Sequence, residues 1–101
     1  MYLWIFVTTP NRKVAEKISS HLLTKKLIAC ANLFPVKSAY WWKSKIYKHP
    51  EVAMILKTSL NKKQKVFKEI KKIHPYKLPD LTAFKVDSTK EVEKWIHNSL
   101  K

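Results

Sequence analysis

Residues 2–9 are apolar in both alternating sets, Tyr2, Trp4 and Phe6 in one and Leu3, Ile5 and Val7 in the other, which predicts a strand buried on both faces. Pro10 follows where a first helical residue tolerates a missing N–H, with Thr9 as N-cap. Val14, Ile18 and Leu22, with Ala15 beside them, then mark the inner face of a helix over about residues 10–25. Residues 28–42 form a long extended stretch bent near Pro35, and after a turn at 43–45 the chain returns through Glu51 to Ser59, predicting a β-hairpin. Asn61 is placed to cap a second helix with Val66, Phe67, Ile70 and Ile73 inside and Lys62, Lys63, Lys65, Lys68, Lys71 and Lys72 in water. His74-Pro75 ends it, because proline denies the preceding residue the helical region. Leu81 to Asp87 reads as a last strand, and Ser88 with Glu91 reads as a capping box ahead of a third helix carrying Val92, Trp95, Ile96 and Leu100.

The order strand, helix, strand, strand, helix, strand, helix, with right-handed crossovers, predicts an α+β fold. It is a ferredoxin-like, split βαβ two-layer sandwich with an extra C-terminal helix, a single domain over residues 1–101. Two layers leave one sheet face open. That face would carry part of the Tyr2–Phe6 run and residues such as Ala29, Ala31 and Leu33, a larger apolar patch than a monomer keeps in water. The simplest cover is another copy of the chain, and Tyr40, Trp41 and Trp42 in the hairpin are aromatic anchors suited to such an interface, or else core filling.

Charge changes the picture less than its size suggests. The formal net charge is +14, but of 21 basic residues only Arg12 is an arginine and the lysines are scattered along the whole chain. Base and phosphate recognition favours the bidentate guanidinium fork, so solvated charge is expected and no specific nucleic-acid partner. No apolar run is long enough for a membrane span, and residues 1–10 have neither a basic start nor a small-residue cleavage site. With one cysteine, Cys30, no internal disulfide is possible, and a reducing, cytoplasmic location is expected.

Chemistry concentrates at residues 74–79, His-Pro-Tyr-Lys-Leu-Pro, where two prolines hold His74 and Tyr76 in a rigid, extended connection. His74 offers an imidazole and Cys30 a soft thiolate, a pair suited to copper or zinc, although two ligands do not close a site. Cys30 lies in an apolar stretch and reads first as inert packing. His21, His49 and His97 have no ligand-like spacing and read as surface. Asn11 and Arg12 follow the first strand, where ferredoxin-like acyl-phosphate hydrolases hold phosphate, but a phosphate cradle usually needs glycines and the chain has none. Ser19, Ser20, Ser38 and Ser59 lack a histidine and carboxylate at suggestive spacing, so no catalytic residue is assigned and the chain is not expected to be an enzyme.

Val-Thr-Thr-Pro-Asn at 7–11, Leu-Ile-Ala-Cys-Ala-Asn-Leu-Phe-Pro at 27–35, Tyr-Trp-Trp-Lys-Ser-Lys-Ile at 40–46, Met-Ile-Leu-Lys-Thr at 54–58 and His-Pro-Tyr at 74–76 stand in one order and spacing. In these the chain resembles the CutA family of divalent-cation tolerance proteins. The resemblance implies a homotrimer that packs its sheets together and extends them between subunits. It also implies a non-catalytic role linked to tolerance of divalent cations such as copper. His74 matches a family position associated with metal, which with Cys30 makes the candidate metal pair for copper or another divalent cation. Val7, Ile73 and Lys77 stand where family members can carry cysteine, histidine and an acidic residue. An alternative is a regulatory trimer of the signal-transduction type that binds a small molecule between subunits, with Tyr40, Trp42, Lys57, His74 and Tyr76 in the cleft. Lys57 is singled out because it interrupts an apolar strand and needs an anion or an exit to water. Glycine is frequent in the family where this chain has Val36 and Ser44.

Overall fold

A computed structural model describes residues 1–101. The elements run β1 (Tyr2–Thr9), α1 (Arg12–Thr24), β2 (Cys30–Trp42), β3 (Lys45–Thr58), a single 3-10 turn (Leu60–Lys62), α2 (Lys63–Ile73), β4 (Thr82–Val86) and α3 (Lys90–Ser99). One antiparallel sheet has the order β2-β3-β1-β4. β3 is therefore inserted between β1 and β2, which run parallel to each other without touching.

Register assigns every side chain to a face, since directly paired residues point the same way. Leu3, Ile5 and Val7 pair with Thr58, Leu56 and Met54 and are buried under the helices with Ala15, Ile18 and Leu22 of α1 and Val66 and Ile70 of α2. The other set of β1, Tyr2, Trp4 and Phe6, pairs with Val86, Phe84 and Thr82 of β4, and Trp4 and Phe6 also pair with Lys57 and Ile55 of β3. On this second face Tyr2 is buried, Trp4 and Phe6 are half-buried, and Phe84 is 50% exposed.

Only the inner part of the hairpin belongs to the sheet. β1 meets β3 no further out than Val52, whereas β2 and β3 stay paired to Trp42–Lys45, so residues 37–50 project as a two-stranded arm. The Cα radius of gyration is 14.1 Å and the longest extent 44 Å, against about 13 Å for a compact chain of this length. Accessible surface is 6958 Å², where a compact monomer of this mass has about 6,000 Å². Tyr40, Trp41, Trp42, Ile46 and Tyr47 all lie exposed on the arm, Trp41 at 72%. A bare two-stranded ribbon is marginal in water. The arm aromatics do not fill this chain's own core.

Several local boundaries differ from the pattern reading. Thr9 stays in β1, paired with Val52, and its hydroxyl donates to the Val52 and Asn11 carbonyls, so α1 is capped by Asn11, whose Oδ1 accepts from the Val14 N–H at 2.9 Å. Asn61 falls inside the 3-10 turn, where its side chain accepts from the Ser59 hydroxyl, and α2 starts after Lys62 with no side-chain cap. Thr89, not Ser88, caps α3 by accepting from the Val92 N–H. Only Ile96 of α3 is fully buried, while Trp95 and Val92 lie largely in water.

Candidate functional site

α2 ends as its proline requires: His74 has φ −77° and ψ 133°, and its N–H still donates to the Ile70 carbonyl. Residues 74–81 then carry the chain from the helix layer to the edge of the open face. His74 is only 8% exposed. Its Nε2–H donates to the Thr8 carbonyl at 2.8 Å and its Nδ1 accepts the Tyr76 N–H at 3.1 Å, which fixes a neutral tautomer with both ring nitrogens engaged. The His74 and Tyr76 rings lie 4.8 Å apart.

Tyr76 leads to a residue that the pattern reading used only as a strand boundary. Its hydroxyl donates to Glu51 Oε2 at 2.6 Å, and Glu51 is only 6% exposed. Burial and then the Glu51 carboxylate push the Tyr76 phenol well above its ordinary value, with Tyr40 adding a smaller contribution. Glu51 has no cation within ion-pair distance. Two residues outward on β3, the His49 Nδ1–H donates to the Pro50 carbonyl while Nε2 accepts from the Tyr40 hydroxyl. Tyr40 in turn stacks on Tyr47, with centroids 6.0 Å apart. Glu51, His49, Tyr40, His74 and Tyr76 thus form one corner at the root of the arm. His49 is half-buried and hydrogen-bonded there, not a free surface group. The signal for Glu51 was present in the chain, which has only seven acidic residues and places one at the mouth of an apolar strand.

The other candidates lie elsewhere. Cys30 pairs with Lys57, and Thr8, which receives the His74 bond, pairs with Ala53. Four residues of strand separate these two rows, about 13 Å. Within one chain Cys30 and His74 therefore do not converge, and no three His, Cys, Asp or Glu side chains are grouped to hold a metal ion. With both His74 nitrogens committed, the residues of a single chain do not fit a copper or zinc site at this pair. Cys30 is half-buried on the open face rather than packed in the core, its Sγ 3.8 Å from Asn32 Oδ1. Lys57 meets no carboxylate; its Nζ sits 5.9 Å from the Trp4 ring centroid, a cation–π arrangement. Trp42 pairs with Lys45 at the arm tip, about 20 Å along the strand from Glu51. Of the cleft candidates, Tyr40, His74 and Tyr76 come together and Lys57 and Trp42 do not. His21 is also no bare surface group, since its Nε2 lies 2.7 Å from Glu69 Oε1.

The family model described as CutA1 divalent ion tolerance protein matches residues 3–99. The chain belongs to the CutA family. It is 41% identical over 101 residues to the divalent-cation tolerance protein CutA of Archaeoglobus fulgidus, covering 99% of each chain. To that of Thermotoga maritima it is 38% identical, covering 95% of this chain and 96% of the other. The solved structure of the periplasmic divalent cation tolerance protein CutA from Archaeoglobus fulgidus superposes with a TM-score of 0.97 at 40% identity over the full length of both chains. CutA1 from Oryza sativa keeps a TM-score of 0.91 at 27% identity, covering 97% of this chain and 92% of that one. The projecting arm is thus built into this CutA chain's fold, and the family is one of divalent-cation tolerance proteins.

Proposed function

We propose that the chain is one subunit of a ferredoxin-like homotrimer that serves divalent-cation tolerance by binding a cation, copper among them, without catalysis. The strand order β2-β3-β1-β4 and the two helical crossovers support the fold name. The uncovered sheet face and the exposed arm aromatics support the assembly, because both need a cover that this chain does not supply.

The observation that carries the ligand reading is Glu51. Glu51, a residue only 6% exposed, has one carboxylate oxygen taken by Tyr76 and no cation of its own chain beside it, which leaves the group placed to receive a positive charge from outside the chain. We assign that charge to the cation that the family's role concerns, or to a cationic group brought by a neighbouring subunit. Cys30 and His74 are not the centre of this reading.

Titration calorimetry of the purified protein with Cu²⁺ and Zn²⁺ tests it, beside light scattering for mass. Saturable binding near one ion per chain is expected in wild type and in Cys30→Ser, and its loss in Glu51→Gln. Binding that survives Glu51→Gln and disappears in Cys30→Ser would return the site to the thiolate. A monomer mass at micromolar concentration would overturn the trimer.

A further inference from the structure

On the helix side of the molecule, away from Glu51 and independent of the reading above, the C-terminal end of α1 lies beside α2. Lys25, Leu27, Lys65, Lys68, Glu69 and Lys72 line an open cleft there of about 410 Å³, within the size range of small-ligand sites. Glu69 is its one carboxylate, and it is already engaged. Its Oε1 lies 2.8 Å from Lys25 Nζ and 2.7 Å from His21 Nε2, and its Oε2 lies 3.7 Å from Lys72 Nζ. The hydrogen bonds from Lys25 and His21, with the nearby Lys25 and Lys72 charges, hold its carboxyl at about 2 against the opposing effect of burial.

Lys65 and Lys68 line the same cleft with no carboxylate in ion-pair range. Four lysines less one carboxylate leave a local charge of +3, with His21 counted neutral. Positions 65, 68 and 72 follow one helix face, a row about 10 Å long, and like charges at that spacing weaken a helix. The first turn of α2 has no acidic residue to offset them. Glu69 ties down Lys25 and Lys72, while Lys65 and Lys68 stay unpaired along the same helix face, a positive lining open to solvent.

A row of point charges suits several linked anions better than one, and lysine serves as a phosphate-binding point charge where no planar fork is required. We propose that this cleft binds a condensed phosphate chain, either inorganic or carried on a nucleotide. A nucleic-acid duplex is not the ligand this geometry fits, because the cleft is short and the remaining lysines are distributed over other faces.

The test is calorimetric titration of the full-length protein, at fixed moderate salt, with inorganic tripolyphosphate, ATP and orthophosphate. Tripolyphosphate and ATP are expected to bind saturably at one per chain with similar affinity, and orthophosphate at least tenfold more weakly. ATP binding without tripolyphosphate binding would overturn recognition through the phosphate chain. Lys65 and Lys68 are exposed, so Lys65→Gln and Lys68→Gln should fold normally and each weaken tripolyphosphate binding about fivefold. Glu69→Gln removes the one repelling charge and should tighten it by a similar factor; weakening there would overturn the proposal. Lys90→Gln with Lys94→Gln on α3 should leave affinity unchanged, and an equal loss in that pair would reduce the effect to net charge and sink the site.

Discussion

The two faces of the sheet are made from the same strands, yet they obey different rules. On the helix side Leu3, Ile5 and Val7 alternate with residues of opposite direction and are closed over by α1 and α2, Ile5 and Val7 fully. On the other side Trp4, Phe6 and Phe84 are also apolar but only partly covered, and on the arm Tyr40 and Tyr47 continue that face in water. The first face is finished by folding. The second stays partly open within the chain, and it is also the face that carries Glu51. In β1 an unbroken apolar run therefore serves two different surroundings, the chain's own helices on one face and a partly open surface on the other.

The largest expected effect separates those partners directly. Ile5→Ala opens a cavity in the closed face and should cost about 2–5 kcal/mol. Thermal unfolding should reveal that loss at every protein concentration. Phe84→Ala removes a half-exposed ring, so its loss should depend on assembly and shrink as concentration rises and mass action restores the complex. If Phe84→Ala instead lowered the midpoint equally at all concentrations, the second face would be complete within the single chain and the contrast would fail.

A smaller effect probes the corner where the two layers meet. Tyr76→Phe keeps the ring against His74 but removes the hydroxyl that satisfies Glu51, and leaving a buried carboxylate oxygen without its donor should cost about 1–3 kcal/mol. The pH profile reports on the hydroxyl itself, whose phenol is held raised by burial and then by Glu51. Because the phenol is raised in the folded state above its ordinary value of 10.0, its contribution is fully present below pH 10 and is lost as pH rises beyond it, when the unfolded chain ionises first. Wild type should therefore lose stability above pH 10 more steeply than Tyr76→Phe. Parallel curves would mean that the phenol is neither buried nor held by Glu51 in solution.

How much of this could be read from the chain depends on the distance over which each feature is decided. Strand β1, the hairpin, the stripe of α2 and its stop at His74-Pro75 are set by local pattern and appeared as expected. The helix starts did not, because Thr9 and Asn11, or Ser88 and Thr89, are equally able caps. For α1 a pairing 43 residues away, Thr9 with Val52, removes Thr9 from contention. The candidate site was half legible for the same reason. His74 and Tyr76 flank Pro75, but their link to Glu51 and His49 exists only once the 74–81 connection is laid against β3. Cys30 and Lys57 looked like partners for that site until register put them in a row about 13 Å away.

The smallest effect lies at the arm tip, where the open face has least support. Lys43 and Ser44 both have positive φ, 50° and 64°, in a two-residue turn between paired Trp42 and Lys45. Such a turn needs the left-handed region at both centres and is built most readily with glycine at the second, yet this chain contains no glycine. Ser44→Gly should relieve about 1 kcal/mol of that strain. Glycine also widens the unfolded ensemble, so the control is Ser38→Gly, in an extended part of the same arm, where only that cost applies. A rise in midpoint for Ser44→Gly beside a fall for Ser38→Gly would locate the strain in the turn itself. If both fell alike, the arm would hold Ser44 left-handed at no penalty, and its tip would be fixed by whatever covers Trp41 and Tyr47 rather than by the turn.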